Sequence, residues 1–230
     1  MAGLTAVELS CGDMTVREIN STLRGLPDGT VVRISQPRGR HNLAVGISGR
    51  LDITIAGNAG YFIGGLCDGP DITVAGFVGW SVGENLGSGT VRVQGNASEC
   101  VGASARGGLI VIEGDASSRA GISLKGGSIA VAGGAGHMTG FMAQAGTILV
   151  GGDAADSLGD SLYETIIYVG GKIRSLGSDA RVEELTEADV ARVRELASVA
   201  GFSHVCAENV TRVASAKSLY RFDALKDQRY

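Results

Sequence analysis

Three octets of this sequence have the glycine density of a phosphate-binding loop. They are GNAGYFIG, GFVGWSVG and GGAGHMTG, which begin at Gly57, Gly76 and Gly133. A dinucleotide fingerprint requires one such loop between a strand and a long helix, with an acidic residue about 20 positions further on. Here the octet recurs with no helical pattern between its copies. We therefore expect a structural repeat rather than a nucleotide site.

The side chains that bind metals or act as nucleophiles are scattered along the chain. The four cysteines and three histidines form no Cys-x-x-Cys pair, no ferredoxin-type cluster and no metal-ligand spacing. We expect reduced cysteines and a hydrogen-bonded, structural His137. No Ser-His-Asp or Cys-His system is recognisable, so we predict that this chain holds no catalytic residue, cofactor or metal. The carboxylates that stacked coils could bring together are expected at solvated corners: Glu99, Glu113, Asp115, Asp153, Asp156 and Asp160.

The composition excludes several classes of protein. Glycine accounts for 37 of 230 residues, well above the average usage of about 7%. The net charge of −4 gives no electrostatic footprint for nucleic acid. No signal-peptide core and no apolar run of membrane-spanning length is present. We expect a cytoplasmic protein that binds neither nucleic acid nor a membrane.

A step of 19 residues accounts for the glycines. Seven glycines, which we call the anchor glycines, follow this step without an insertion: Gly57, Gly76, Gly95, Gly114, Gly133, Gly152 and Gly171. A β-branched aliphatic residue stands four and two positions before every anchor, and spacing by two places both on one face of a strand. These fourteen residues are Ile53, Ile55, Ile72, Val74, Val91, Val93, Ile110, Ile112, Ile129, Val131, Ile148, Val150, Ile167 and Val169.

Such a repeat predicts an all-β solenoid, in which each coil buries its aliphatic face only by stacking on its neighbours. Burial of each Val or Ile side chain stabilises the fold by about 1.5–3 kcal/mol before conformational entropy is subtracted. We expect several short strands in each coil, separated by corners where glycine permits positive φ or close backbone approach. The predicted fold is a single-stranded β-helix of about seven 19-residue coils.

The two ends of the chain depart from the repeat. We predict an N-terminal cap with a short helix over residues 1–30, the solenoid over 31–180 and a C-terminal helical tail over 181–230. In the tail, Thr186 and Asp189 fit a helix N-cap ahead of the apolar stripe in TEADVARVRELASVAG. A second short helix is predicted within TRVASAKSLY, residues 211–220.

Two sets of side chains are candidates for contact with a partner. Tyr61, Phe62 and Trp80 are large apolar groups near corners, where they either pack locally or form a protein–protein surface. The outward positions of the strands are polar in the early coils and become apolar later. We expect this later face to be covered, either by the C-terminal helices or by another subunit. Its members are Leu109, Val111, Leu149 and Tyr168.

The Gly-x2-Gly-x3-Gly pattern of the octets resembles the C-terminal β-helix domain of the glutamate synthase large subunit. The run GGLIVIEGDASSRAGISLKGGSIAVAGGAGHMTGFMAQAGTILVGGDAADSLGDSLYE is most similar to stand-alone forms of that domain, such as the middle subunit of N-methylglutamate synthase. The resemblance covers residues 13–225 and implies a right-handed coil.

In that family the chemistry is divided among subunits. A class II glutamine amidotransferase releases ammonia with an N-terminal cysteine, and a barrel subunit with FMN and an iron–sulfur cluster performs the synthase step. The resemblance therefore implies a non-catalytic scaffold between these two partners, within a higher oligomer. In agreement, Cys11 lies well inside this chain. Two alternatives remain open: a solenoid component similar to the one in formylmethanofuran dehydrogenase, within a formyltransferase/hydrolase complex, and a self-assembling solenoid without enzyme partners.

Overall fold

The computed structural model describes residues 7–217, which form a sheet of eleven strands and two short helices. The strands are β1 Val7–Ser10, β2 Val31–Ser35, β3 Asp52–Ile55, β4 Asp68–Val74, β5 Ser88–Val93, β6 Arg106–Ile112, β7 Lys125–Val131, β8 Ala145–Val150, β9 Ile166–Val169, β10 Ala180–Glu183 and β11 Thr211–Ser215. The helices are α1 Val16–Gly25 and α2 Glu187–Ala200. Neither helix is long and apolar enough to cross a membrane, within the part of the chain that the structure describes.

The chain forms a parallel, single-stranded β-solenoid of about seven turns, as the 19-residue step predicts. Each coil adds one strand in register, so that Ile53 pairs with Ile72, Ile72 with Val91 and Val91 with Ile110. The expectation of several regular strands in each coil is met only in part. Beside the main strand, the coils are joined by isolated bridges, which run from Val78 through Ala97, Ala116, Ala135 and Ala154 to Ile173.

The interior of the solenoid is apolar and closely packed. All fourteen aliphatic residues at the predicted core positions are exposed by 1% or less, which confirms their inward orientation. A second set of side chains from the opposite wall meets them, including Ile63, Val82 and Val101. The polar Thr139 is also fully buried there, and its hydroxyl donates a hydrogen bond to the Gly136 carbonyl at 3.0 Å. Packing therefore occupies the interior.

Glycine serves two different purposes in a coil. Gly121 and its equivalents lie in the left-handed region, with φ of 73° at Gly121. The anchor Gly152 is needed for space instead, because a β-carbon there would lie 2.8 Å from the Gly133 carbonyl carbon of the preceding coil. Glycine is not, however, the only left-handed residue at the corners. Other residues do the same at two further positions of the six coils that follow Gly57 to Gly152, namely Phe62, Leu66, Ser81, Asn85, Cys100, Ser104, Arg119, Ser123, Met138, Met142, Ser157 and Ser161.

The N-terminal cap contains the predicted helix and, in addition, the first strand. Helix α1 begins at a capping box, in which Thr15 accepts a hydrogen bond from the Glu18 amide and Glu18 accepts one from the Thr15 amide. Its buried residues Ile19 and Leu23 join the solenoid core. Strand β1 pairs with β2 in parallel, so the cap also extends the sheet by one strand.

The C-terminal tail is only partly helical, which corrects the prediction of a helical tail. The predicted helix over 211–220 is wrong for residues 211–215, which form β11, while residues 218–220 lie outside the described part of the chain. Strand β11 inserts between β9 and β10 and pairs antiparallel with both. Pairing with β9 and burial of Val213 outweigh the weak helical pattern of this segment.

Helix α2 covers the apolar outer face of the later coils. Val193 and Leu196 of α2 are buried in one cluster with Val111, Leu149 and Tyr168. This confirms the first of the two predicted covers, the C-terminal helix. It also corrects the assignment of Val111, Leu149 and Tyr168 to a partner interface, because this chain buries all three to 3% exposure or less. Leu109 is half-buried at the edge of the same cluster.

Candidate functional site: an exposed aromatic column

Three rings from successive coils stack on the outside of the solenoid near its N-terminal end. Tyr61 and Trp80 each stand four residues after an anchor glycine, and His41 occupies the equivalent place in the leading coil. The ring centroids of His41 and Tyr61 are 4.3 Å apart, and those of Tyr61 and Trp80 are 5.3 Å apart. The rings are tilted from parallel by only 23° and 17°. We call these three residues the aromatic column.

The glycines before Tyr61 and Trp80 make the column possible. A β-carbon at Gly60 would overlap the His41 ring, and one at Gly79 would overlap the Tyr61 ring. The His41 and Tyr61 rings therefore each lie over the bare backbone of the next coil. The Tyr61 amide also donates a hydrogen bond to His41 Nδ1 at 2.8 Å, which holds the imidazole in the stack. Local sequence and coil stacking together define the column.

The column and its neighbour Phe77 are open to solvent. Tyr61 is 47% exposed, Trp80 is 49% exposed and Phe77 is 56% exposed. Phe77 lines a shallow groove of about 450 Å³ together with Pro37, Arg38 and Asn58. Exposed aromatic groups gathered in one region mark interaction surfaces more often than exposed single residues do. The structure therefore favours binding as the role of this corner.

The charges beside the column are unequal at its two ends. Arg38 donates to Gln36 Oε1 at 2.9 Å, and Arg40 donates to the Met14 carbonyl at 3.2 Å. Among residues 7–217, no carboxylate oxygen lies within 4.0 Å of either guanidinium. At the other end, Glu84, Glu99 and Arg119 surround Cys100, whose pKa is raised chiefly by burial.

The sequence predicted part of this surface and missed the rest. Tyr61 and Trp80 lie on it as proposed, whereas Phe62 is half-buried and its ring packs against the Gly65 backbone. His41 and Phe77 were not predicted. One signal for Phe77 exists: it stands one residue after an anchor, where four other coils carry an amide or carboxylate side chain. Those residues are Asn58, Asn96, Asp115 and Asp153.

That amide and carboxylate series accepts hydrogen bonds from backbone amides of the next coil. Asp115 Oδ1 accepts a hydrogen bond from the Gly134 amide, and Asp153 Oδ1 accepts one from the Lys172 amide, each at 2.7 Å. The two aspartates border a shallow groove of about 590 Å³ with Lys172 and Arg174, over a floor of alanines. His137 is likewise bonded to the next coil, with Nδ1 3.1 Å from the Asp156 carbonyl, which confirms that it is hydrogen-bonded as predicted.

The titratable groups with the largest shifts belong to the scaffold. Burial raises the pKa of the Cys67 thiol to about 11, so this thiol stays protonated and unreactive near neutral pH. Burial opposes ionisation of Asp189, yet hydrogen bonds from Thr186, Tyr168 and Arg212 lower its pKa to about 2. Within residues 7–217, no group of three or more His, Cys, Asp or Glu side chains is arranged to hold a metal ion.

The geometry therefore points to recognition at the aromatic column. Comparison of the chain with protein-family models and with curated proteins gave no match.

Proposed function

We propose that this protein is a non-catalytic scaffold subunit of a glutamate-synthase-like complex, of the N-methylglutamate synthase type. It would join a class II glutamine amidotransferase subunit to a synthase subunit that carries FMN and an iron–sulfur cluster. The observation that carries the proposal is the exposed aromatic column on the wall of a packed solenoid. The resemblance of the glycine octets to glutamate synthase β-helix domains supplies the choice of complex.

The architecture suits a scaffold for a mechanical reason. Backbone hydrogen bonds and buried aliphatic residues join every coil to the next, so surface groups on different coils keep fixed separations. Strands in a sheet are about 4.8 Å apart. The bridge line from Val78 to Ile173 spans five such steps, or about 24 Å. Phe77 lies at one end of this line and the groove of Asp153 and Lys172 at the other, which gives two chemically different surfaces.

Under this proposal the reacting groups belong to the partners. The amidotransferase would release ammonia from glutamine, and the flavin-bearing subunit would complete the synthase step. In a complex of the N-methylglutamate type, methylamine and glutamate would yield N-methylglutamate and ammonia. This chain would fix the two active subunits relative to each other.

Purification of the intact complex through an affinity tag on this chain tests the proposal. We expect an amidotransferase and a flavoprotein by mass spectrometry, with flavin absorbance and glutamine hydrolysis in the complex and neither in the isolated chain. Recovery of amidohydrolase and pterin-metal subunits would instead establish the formylmethanofuran dehydrogenase alternative. Filaments of the isolated chain without enzyme partners would establish the self-assembling alternative. Glutamine turnover or tight flavin binding by this chain alone would overturn the scaffold role.

A further inference from the structure

One region of the solenoid wall combines exposed aromatic groups with arginines that have no carboxylate partner in the described chain. Its members are Arg38, Arg40, Tyr61, Phe77 and Trp80, which we call the aromatic–arginine surface. Arg38 and Phe77 line the same groove. Arg40 precedes His41 of the column, and its carbonyl accepts a hydrogen bond from the Gly60 amide at 2.8 Å. The five residues therefore lie in equivalent four-residue segments of three adjacent coils, 38–41, 58–61 and 77–80, which backbone hydrogen bonds join.

The solenoid does not require this composition. The position of Phe77 is filled in other coils by polar or small residues, and its side chain is more than half exposed. The ladder position of Tyr61 and Trp80 is occupied further along by Glu99, Ser118, His137, Asp156 and Ser175. Aromatic residues and arginine are the types enriched in the energetically dominant part of protein interfaces.

The arrangement of the rings favours a protein partner over nucleic acid. Nucleic-acid bases bind by stacking on open aromatic faces. Both faces of Tyr61 are covered, one by His41 and one by Trp80, so Tyr61 presents its edge. Ring edges and a groove beside Phe77 fit aliphatic or aromatic side chains of a protein better than they fit bases.

The charges of Arg38 and Arg40 indicate which residues the partner segment should contain. The guanidinium groups of Arg38 and Arg40 each make one hydrogen bond to a neutral oxygen and retain further N–H donors. Arginine pairs well with carboxylates because its planar donors match their two oxygens. At the other end of the column, Glu84, Glu99 and Arg119 all lie close enough to Cys100 to affect its pKa, so two negative charges stand there against one positive charge. A partner segment complementary to this surface carries its acidic groups toward Arg38 and Arg40.

We propose that the aromatic–arginine surface binds a segment of a partner subunit that combines large apolar side chains with aspartate or glutamate. An apolar side chain enters the groove beside Phe77 and packs on the edges of Tyr61 and Trp80, while the carboxylates pair with Arg38 and Arg40. The inference deepens the proposed function, and it rests on that function only in requiring a partner subunit. The identity of that subunit is a separate question.

Photo-crosslinking in the intact complex tests this binding mode. The full chain is expressed in its native host with p-benzoylphenylalanine in place of Phe77, and the cross-linked peptide is sequenced by mass spectrometry. We expect a segment of another protein with at least two Asp or Glu residues beside large apolar ones. The double variant Arg38→Glu/Arg40→Glu should lower the cross-link yield at least tenfold. The matched variant Arg33→Glu, an exposed arginine of the same coil on the sheet, should change it less than twofold.

The single tryptophan provides an independent readout. A synthetic peptide of the cross-linked segment, free of tryptophan, should shift Trp80 emission to shorter wavelength when added to the isolated chain. Replacement of its acidic residues by lysine should weaken binding at least tenfold. Circular dichroism of the arginine variants separates lost binding from lost folding.

The remaining outcomes overturn the inference. They are no cross-link from position 77, or a cross-link to a basic or uncharged segment, to a second copy of this chain, to nucleic acid or to lipid. An equal loss of yield in Arg33→Glu also overturns it. A cross-link of the expected kind to a protein that is neither amidotransferase nor flavoprotein would overturn the proposed function and leave this inference standing. Recovery of both expected enzymes without the cross-link would do the reverse.

Discussion

The hydroxyl of Tyr168 donates a hydrogen bond of 2.5 Å to Asp189 Oδ1, which joins the last parallel strand to the first turn of α2. Asp189 is also the capping-box residue of this helix, through its contacts with Thr186. Arg212 of β11 donates to the same carboxylate oxygen at 3.1 Å and pairs with Glu183 of β10. One carboxylate therefore connects β9, β11 and α2 where the solenoid ends.

Replacement of Tyr168 by phenylalanine should destabilise the protein by about 1.5–3 kcal/mol, because it removes a hydrogen bond to a buried charged group. Urea unfolding followed by circular dichroism measures the change. Tyr163→Phe is the matched control, since Tyr163 is 45% exposed and should change the free energy of unfolding by less than about 0.5 kcal/mol. Equal effects of the two substitutions would contradict a special role for the Tyr168 hydroxyl.

The Asp189 carboxylate should make the protein less stable in acid. Its folded pKa of about 2 lies below the unfolded value of about 3.9, so its contribution is complete above the unfolded pKa and falls as pH drops toward 2. Between about pH 6 and pH 2.5 this group alone should cost about 1–2 kcal/mol. Asp189→Asn should reduce the acid dependence of the unfolding free energy by that amount. An acid dependence as steep as that of the unmodified protein would refute the assignment.

The anchor Gly152 should not accept a side chain. Its φ is not in the left-handed region, so the effect of Gly152→Ala is purely one of space: the new β-carbon would meet the Gly133 carbonyl carbon at 2.8 Å and its oxygen at 2.9 Å. Backbone must then shift, and we expect a loss of about 1–3 kcal/mol. Gly25→Ala is the control, because no atom lies within 4 Å of a β-carbon there. Chemical unfolding of both variants should show a loss only for Gly152→Ala.

Arg92 should hold the far end of α2 on the sheet. Its guanidinium donates to the Ala200 carbonyl at 2.9 Å and to the Val199 carbonyl at 3.2 Å, where a positive charge favours the helix C-terminus. Arg92→Gln should lower the hydrogen-exchange protection of the last turn of α2 about fivefold to thirtyfold, which corresponds to about 1–2 kcal/mol.

Arg194→Gln provides the comparison for that experiment. Arg194 lies on the same helix, but its ion pair with Glu208 is largely exposed, and exposed pairs contribute about 0–1 kcal/mol. Protection of the last turn should therefore fall by less than about fivefold. Undiminished protection in Arg92→Gln would show that apolar burial alone holds the helix.

The C-terminal segment shows where local pattern misleads. Val190, Val193 and Leu196 repeat at helical spacing, and a helix forms there as predicted. The next segment, TRVAS, is too short for periodicity to separate helix from strand. Its conformation depends on β9, which offers an unpaired edge to Thr211, Arg212 and Val213. Sequence alone does not reveal which edge is free.

The aromatic column, too, could be predicted from the sequence only in part. The 19-residue step between Tyr61 and Trp80, with a glycine before each, is visible in the sequence. His41 is 20 residues before Tyr61, because the leading coil is one residue longer at that point, so the step does not reveal it. Stacking of the three rings and exposure of Phe77 depend on how the corners of neighbouring coils are positioned relative to one another. Only the folded solenoid determines these positions.

The sequence by itself determined the solenoid, its register and its core, since these follow from a periodic burial requirement that every coil repeats. Only the tertiary structure decided which outer residues α2 covers, where β11 inserts and which rings stand together in water. Those features depend on contacts that each occur only once, in place of contacts that every coil repeats. A contact that occurs once produces no periodic pattern in the sequence from which it could be predicted.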